Sequence, residues 1–362
     1  MADHVYAVIM AGGGGTRLWP VSRNKNPKQM LQLFNGRSLF QIAVDRLSEI
    51  FTPESIFVVT VAAQVEELEK QEPAIPKGNF LVEPLPRGTA SVVAMASAAL
   101  LKKDPDAVLA VLTADHMIKD ISQFINALHA SYTLANTGFI VTLGIKPSAP
   151  ATGYGYIQAG QSLGEFDAIQ AYRVNQFIEK PDFDRALQLC KDPVMSWNSG
   201  MFIFRANVMR AEIENLMPEL HTSIETLLPE LGEDHSSQRF LKEWSGIRSQ
   251  TIDYGIMEKC TRSAVIPVEL GWQDVGSWDS FFDVFPADES GNITLTDLHI
   301  GIDTGTTLVV SDEAEKLVVT IGIQNMIIIN TRDALLICPR GDSQKIKELV
   351  NYLKENHYTL FL

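Results

Sequence analysis

The segment "IMAGGGGTRLWPVSRNKNPKQM", from Ile9 to Met30, contains the most informative pattern in this sequence. Its four consecutive glycines follow a short apolar strand, and basic side chains follow the glycines. Glycine lets the backbone approach a ligand closely and turn its N–H groups towards an anion. Phosphate is the natural guest of such a turn, so the sequence predicts a phosphate-binding loop after the first strand.

Two familiar phosphate-binding loops do not match this segment. A P-loop would need the pattern GxxxxGK[ST], and no Gly-Lys pair follows Gly12. A dinucleotide fingerprint would need a third glycine where Arg17 stands and an immediate helix, which Pro20 and Pro27 forbid. The remaining interpretation is a long loop that carries Arg17 and Lys28 towards phosphates. The alternative is a flexible surface turn with solvated basic residues.

The composition restricts the class of protein. With 362 residues the chain is long enough for one large domain and a smaller one, and 46% apolar residues are ordinary for a globular protein. A formal charge of −14 argues against sequence-independent binding to nucleic acid. Three scattered cysteines fit a reducing compartment. Because neither a signal peptide nor a membrane-length apolar run is visible, we expect a cytoplasmic protein with no membrane partner.

Short apolar runs alternate with helix-period segments through the first third of the chain. The runs cover residues 5–10, 55–60, 79–82, 107–112 and 138–144. Strands that alternate with helices predict an α/β fold with a doubly wound, mostly parallel sheet, in which ligands bind at the carboxyl ends of strands. Beyond this part, the pattern predicts a strand at 201–205 and helices at 207–216 and 250–259.

The tail of the chain has a nine-residue period. Short apolar triplets begin at residues 308, 317, 326 and 335. Such regular spacing predicts four short strands, either as rungs of a small β-solenoid or as a tight meander. A closing helix follows, because Ile346, Leu349, Val350 and Leu353 share one face.

Several blocks in this chain, taken in order, resemble the sugar-phosphate nucleotidyltransferase family in the form found in mannose-1-phosphate guanylyltransferases. The first is the glycine-rich segment, which fits the signature GGxGTRLxPxSxxxxPKQ. The others are "VEPLPRGTA" (82–90), "TADHMI" (113–118), "GIKPSAPATGYGYI" (144–157), "FIEKP" (177–181), "WNSGMF" (197–202), "TIDYGIMEK" (251–259) and "WQDVGSW" (272–278).

The resemblance implies a fold and a reaction. The fold is a Rossmann-like catalytic domain over residues 1–287 and a small left-handed β-helix-like domain over residues 288–362. The reaction is attack of mannose-1-phosphate on the α-phosphate of GTP, with Mg²⁺ as cofactor and pyrophosphate as leaving group. The nucleophile is already an oxyanion at neutral pH, since the second phosphate pKa is about 6. Catalysis then needs positioning and positive charge rather than a general base.

The resemblance also assigns roles to individual residues. Arg17, Lys28 and Asp115 are the predicted catalytic residues, and Asp115 and Asp274 are the predicted Mg²⁺ ligands. The predicted nucleotide-binding residues are Ala11, Gly12, Gly13, Gly14, Gly15, Thr16, Glu83, Arg87 and Thr89. The predicted sugar-phosphate-binding residues are Gly153, Tyr154, Glu179, Lys180 and Asn198.

Base and sugar selection are the steps that the sequence leaves open. A carboxylate with nearby backbone N–H groups discriminates in favour of guanine, so Glu83 either reads the base or orients the "PRGTA" loop. Gly88 and Ala151 stand where the family often has Asn and Glu, and both departures concern affinity and selectivity rather than the chemistry. Guanylyl transfer to a heptose or fucose phosphate is therefore an alternative function.

A different class of function is a non-catalytic nucleotide-sugar sensor, which would be expected to lack Arg17, Lys28, Asp115 or Asp274. All four residues are present. Because no isomerase domain follows the repeat, we expect a monofunctional enzyme. The repeat exposes strand edges, so we also expect a homodimer through residues 290–362.

Overall fold

The computed structural model describes residues 3–13, 15–34, 36–231 and 237–362. Within it, the chain divides into two compact units. The first unit comprises Met1–Gly12, Val44–Ala114 and Ile118–Trp272. The second comprises Gly13–Ala43, Asp115–Met117 and Gln273–Leu362. The predicted domain boundary at residues 287 and 288 stays a prediction.

The strands of the first unit are β1 Val5–Met10, β2 Ile56–Val61, β3 Phe80–Glu83, β4 Val108–Thr113, β6 Ile140–Ile145, β7 Tyr156–Phe166, β8 Ile169–Ile178, β9 Met195–Arg205 and β10 Ser263–Val268. Those of the second are β5 His116–Met117, β11 Gln273–Asp274, β12 Ile293–Leu295, β13 His299–Ile302, β14 Leu308–Ser311, β15 Val318–Ile321, β16 Met326–Asn330 and β17 Leu335–Pro339. The helices, in chain order, are α1 Leu39–Asp45, α2 Val65–Gln71, α3 Thr89–Lys103, α4 Ile121–Ala135, α5 Phe183–Leu189, α6 Ala206–Leu216, α7 Pro218–Leu227, α8 Gln238–Gly246, α9 Phe281–Val284 and α10 Ile346–Glu355.

One sheet organises the first unit, in the order β3-β2-β1-β4-β9-β6-β10-β8-β7. Strands β1 to β4 are parallel, with Ala7 opposite Ile56 on one side and Ala110 on the other. Ala7 is fully buried, as expected for a central strand covered on both faces. The antiparallel strand β9 separates β4 from β6, so the predicted α/β sheet is confirmed in a mixed form.

Short strands in the second unit stack as solenoid rungs. Strand β14 lies parallel to β12 and β16, whereas β13 lies parallel to β15. The four predicted tail strands are therefore present, and β14, β15 and β16 alternate between two sheets. One complete rung spans 19 residues, about two of the nine-residue repeats, because Leu308 pairs with Ile327 and His299 pairs with Val318. An antiparallel partner, β17, ends the stack against β16.

The core of the second unit contains part of the glycine-rich segment. Leu18 and Trp19 are buried in the same apolar cluster as Leu308 and Ile327 of the solenoid and Ile346 of α10. Hydrogen bonds extend this packing, because Trp278 Nε1 donates to the Trp19 carbonyl at 3.0 Å and Trp19 Nε1 donates to the Phe361 carbonyl at 2.7 Å. The solenoid therefore supports the loop on which Arg17 lies.

No helix within the described ranges has both the length and the apolar composition needed to cross a lipid bilayer.

Candidate functional site

Three charged side chains from distant parts of the sequence meet in the second unit. Lys28 Nζ donates to Asp115 Oδ2 at 2.9 Å and to Asp274 Oδ1 at 3.0 Å. Asp115 is the second residue after β4, and the short β5–β11 pairing sets Asp274 opposite His116. His116 is buried, with Nε2 3.8 Å from Asp115 Oδ1. The structure thus brings together three of the predicted catalytic and metal-binding residues.

The electrostatics of this cluster favour the charged forms of Lys28 and Asp115. Loss of surrounding water lowers the pKa of Lys28, but the charges of Asp115 and Asp274 outweigh this effect and leave the pKa raised. Desolvation likewise raises the pKa of Asp115, yet the charges of Lys28 and His116 hold it well below its usual range. Because two carboxylates face one ammonium, the three side chains carry a net negative charge.

This donor set fits a hard divalent cation. Asp115 and Asp274 offer carboxylate oxygens, which Mg²⁺ prefers, and Mg²⁺ is commonly held by one or two carboxylates together with substrate phosphates. The described residues contain no group of three or more His, Cys, Asp or Glu side chains arranged to hold a metal ion. The remaining coordination positions would therefore be filled by phosphate oxygens and water.

The glycine-rich loop of the second unit lies against Lys28. Gly15 has a positive φ of 48°, and a Cβ added to it would lie 2.5 Å from Lys28 Cβ, so only glycine fits here. Arg17 is exposed and has no ion-pair or hydrogen-bond partner among the described residues. Gly13 and Thr16 belong to the same loop, whereas Gly14 lies outside the described residues.

In the first unit, Glu83 is a buried carboxylate at the end of β3. A Cβ on Gly12 would lie 3.6 Å from Glu83 Oε1, so these two predicted nucleotide-binding residues are neighbours, and Ala11, which precedes Gly12 in the chain, is buried. The Arg87 N–H and the Ser91 hydroxyl each donate to Glu83 Oε2 at 3.4 Å. Burial raises the pKa of Glu83 to about 7, even though these hydrogen bonds oppose the shift.

Arg87 and Thr89 already have partners within the first unit. The guanidinium of Arg87 donates to the carbonyl of Ser245, and Thr89 Oγ1 accepts from the Ile252 N–H at 2.9 Å. Between them, Gly88 has a φ of 85° and lies against the carbonyl of Gln250. The side chains of Arg87 and Thr89 therefore shape the loop before α3.

A second set of residues in the first unit surrounds Glu179. A Cβ on Gly155 would lie 2.4 Å from Glu179 Oε2, and the Asn198 N–H donates to the Gly155 carbonyl at 2.8 Å. Lys180 Nζ is 2.5 Å from Glu179 Oε1, and its side chain is 54% exposed whereas that of Glu179 is 4% exposed. Next to Gly153, Tyr154 packs edge-on against Trp197 and Trp272. The predicted sugar-phosphate residues are thus close together.

Asp253 belongs to this group, although it is not one of the predicted site residues. Its Oδ1 accepts from Asn198 Nδ2 at 2.9 Å, while Asn198 Oδ1 accepts from the Gly200 N–H. Burial and the charge of Glu179 raise the pKa of Asp253 to about 6. The sequence feature that could have identified Asp253 as a site residue is its position inside the "TIDYGIMEK" block. The pattern predicted a regular helix there, whereas Asp253–Met257 forms a π-helical turn.

Comparison with known proteins covers most of the chain. A family model described as nucleotidyl transferase matches residues 6–291, and one described as a MannoseP isomerase/GMP-like beta-helix domain matches residues 297–353. A mannose-1-phosphate guanylyltransferase of Salmonella muenchen is 36% identical over 97% of this chain and 73% of its own length. The protein of that name from Klebsiella pneumoniae is also 36% identical, over 96% of this chain and 74% of its own length.

A solved structure agrees with these relatives. The crystal structure described as mannose-1-phosphate geranyltransferase from Thermus thermophilus superposes with a TM-score of 0.86 at 32% identity, covering 97% of this chain and 99% of that one. The predicted family, the nucleotidyltransferase activity and the β-helix-like tail are confirmed. The chain therefore belongs to the nucleotidyl transferase family, in the group of the mannose-1-phosphate guanylyltransferases.

Proposed function

We propose that this chain transfers GMP from GTP to mannose-1-phosphate in the presence of Mg²⁺. A sugar-phosphate oxygen forms a bond to the α-phosphorus, the bond from that phosphorus to the bridging oxygen breaks, and pyrophosphate leaves. The observation that carries this proposal is the pairing of Lys28 with Asp115 and Asp274. A fixed ammonium beside two carboxylates suits a reaction whose main demand is neutralisation of phosphate charge.

We assign the phosphate chemistry to residues of the second unit. Exposed Arg17 neutralises the β- and γ-phosphates, and Lys28 neutralises charge on the α-phosphate and the leaving group. Asp115 and Asp274 would hold Mg²⁺, which supplies Lewis-acid neutralisation of the phosphate oxygens. Backbone N–H groups of the glycine-rich loop orient the triphosphate.

In the first unit, we assign Glu83 to guanine and the Glu179 group to the sugar. A buried acceptor suits the N1–H and amino group of guanine. Lys180 suits the 1-phosphate, because it is a partly exposed cation held at Glu179. Asp253, Glu179 and Asn198 together offer both acceptors and donors to vicinal hydroxyls.

Asp253 gives a specific test of this sugar site. We expect Asp253→Asn to raise the KM for mannose-1-phosphate by roughly tenfold, equivalent to one hydrogen bond to a charged group, and to leave the KM for GTP unchanged. Asp184→Asn, on an exposed residue of α5, is the matched control. An equal change in both KM values would contradict a role in sugar recognition.

The direct test of function is pyrophosphate release. GTP, ATP, UTP and dTTP are each paired with mannose-1-phosphate, glucose-1-phosphate and a heptose phosphate, with Mg²⁺ and with EDTA. We expect Mg²⁺-dependent turnover with GTP and mannose-1-phosphate alone. Turnover confined to another sugar phosphate would identify that sugar phosphate as the substrate in place of mannose-1-phosphate. The absence of turnover with every pair would support the nucleotide-sugar sensor.

We propose a homodimer formed through strands β13 and β15. Six large apolar side chains at or beside these strands are at least 40% exposed: Leu298, Ile300, Ile302, Leu317, Val319 and Ile321. Register places Ile300 opposite Val319 and Ile302 opposite Ile321, so the side chains form one continuous apolar face. A second copy of the chain would cover this face with an identical one.

The free thiols of Cys190, Cys260 and Cys338 support the predicted cytoplasmic location.

A further inference from the structure

A cavity of about 460 Å³ lies in the first unit, and none of the residues assigned above lines it. It is lined by the end of α6, the start of α7, the segment from Gly246 to Gln250 and Lys259. Its volume is typical of a pocket for a small organic ligand. Neither the nucleotide site nor the sugar site proposed above uses this space.

The cavity presents two cations. Arg248 and Lys259 are exposed, and in the described ranges neither side chain has an ion pair or hydrogen bond. The chain has 44 acidic and 30 basic residues, so basic side chains have an excess of possible partners. Two unpaired cations on one cavity favour an anionic ligand, and arginine suits the paired oxygens of a phosphate.

The rest of the lining suits a flat ring system that carries N–H groups. Leu220 and Ile247 are buried, and Met217 packs so closely on the π-helical turn that a Cβ on Gly255 would lie 2.5 Å from its Sδ. Thioether and aliphatic groups form a suitable apolar surface for an aromatic base. Glu219 adds an exposed carboxylate that accepts hydrogen bonds from such a base.

One wall of the cavity also supports the loop before α3. The Gln250 N–H donates to the Arg87 carbonyl at 3.0 Å, and the Ala90 N–H donates to the Gln250 carbonyl at 3.2 Å. A Cβ on Gly88 would lie 2.3 Å from that carbonyl oxygen, so this contact requires the glycine that departs from the family pattern. A ligand that orders the segment from Gly246 to Gln250 would order this loop as well.

We propose that the cavity is a regulatory site for a nucleoside phosphate, whose phosphate binds Arg248 and Lys259 and whose base lies on Met217 and Ile247. Occupancy stabilises the hydrogen bonds of Gln250 to Arg87 and Ala90. The site thus links nucleotide concentration to the order of a loop that the resemblance assigns to nucleotide binding.

The test is calorimetric titration of the full chain with GMP. We expect the double variant Arg248→Glu, Lys259→Glu to bind one equivalent fewer than the wild type, because charge reversal repels the phosphate. Lys242→Glu is the matched control, since this exposed lysine of α8 does not line the cavity. If the double variant fails to fold, Arg248→Gln takes its place. This variant removes a single charge and should weaken the binding of GMP at the cavity by about tenfold.

Hydrogen exchange provides a second readout. GMP should slow exchange in a peptide spanning residues 85–91 of the wild type, and less so in the double variant, because the Ala90 N–H is bonded to Gln250. Equal numbers of bound equivalents in the wild type and the double variant would overturn the proposal. Neither readout requires turnover, so its failure is distinguishable from failure of the proposed reaction.

Discussion

Lys28 has to satisfy two opposing requirements. Its side chain is only 7% exposed, which disfavours the charged form, yet the reaction needs a permanent positive charge. Asp115 and Asp274 resolve this conflict by accepting hydrogen bonds from the ammonium group. The same two carboxylates remain able to attract a divalent cation. Structural and catalytic roles therefore depend on the same three side chains.

Replacing Lys28 by Met should reduce kcat by about a hundredfold or more, in line with the loss of one preorganised donor of about 3 kcal/mol. The measurement is pyrophosphate release at saturating substrates, with thermal unfolding to verify the fold. Lys25→Met is the control, because Lys25 is exposed in the same loop. Wild-type turnover in the Lys28 variant would refute its catalytic role.

Glu83 should make stability depend on pH. Its pKa rises from the ordinary value of 4.5 to about 7, so between these values the folded chain binds the proton more often than the unfolded chain. The contribution of Glu83 to the free energy of unfolding is fully present below pH 4.5. It is lost as pH rises through 7, by up to about 3 kcal/mol. Urea unfolding of the wild type and Glu83→Gln across this range measures the difference.

The Gln variant should lose the part of this slope that Glu83 contributes, whereas Glu67→Gln, on the exposed face of α2, should retain it. Equal slopes in the wild type and Glu83→Gln would show that the carboxyl does not titrate as described. The same variant tests base selection. If its preference for GTP were unchanged, Glu83 would have no role in reading the base, and its role would be limited to its contacts with Arg87 and Ser91.

Individual strands were easier to predict than their pairings. The apolar run at 107–112 corresponds to β4, and Asp115 lies two residues beyond its carboxyl end. An apolar run indicates that a strand is buried, but it does not indicate which strand it pairs with. The position of the antiparallel strand β9 between β4 and β6 was therefore not predicted. Likewise, the nine-residue period locates four strands but cannot show that alternate strands share a sheet.

Asp279 holds the start of α10 in place. Its carboxylate accepts from the N–H groups of Gly341 and Ser343 and from the Ser343 hydroxyl, which is fully buried. Asp279→Ala leaves these donors without a partner and should lower the free energy of unfolding by about 2 kcal/mol. Asp297→Ala, on an exposed residue between β12 and β13, is the control. Equal denaturation midpoints for the two variants would contradict this role.

Candidate residues could be recognised from the motifs, but their spatial relations could not. Lys28 and Asp274 are 246 positions apart, and no local pattern indicates that they share a hydrogen bond. The inclusion of Leu18 and Trp19 in one core with the solenoid strands is equally a product of tertiary packing. Asp253 was missed because a π-helical turn, rather than a regular helix, brings its carboxylate to Asn198.

The proposed dimer depends on the apolar face of β13 and β15. Ile302→Glu combined with Ile321→Glu should yield monomers, because these opposing side chains are 51% and 65% exposed and charges there would be desolvated in an interface. Light scattering at micromolar concentration measures the mass. Leu335→Glu with Ile337→Glu, on exposed positions of β17, should leave the dimer intact. A monomeric wild type would exclude the arrangement.

The pairing of alternate repeats also limits how the tail can change its length. Removing one nine-residue unit would shift every later strand to the opposite wall of the coil. Buried Leu and Ile side chains of the solenoid, such as Leu308 and Ile327, would then no longer pack against the strand with which they pair. Removing or duplicating a full turn, which corresponds to the 19-residue offset between Leu308 and Ile327, keeps each strand on its own wall. Natural variation in this tail should therefore add or remove whole turns, while half-turn changes should be eliminated by misfolding.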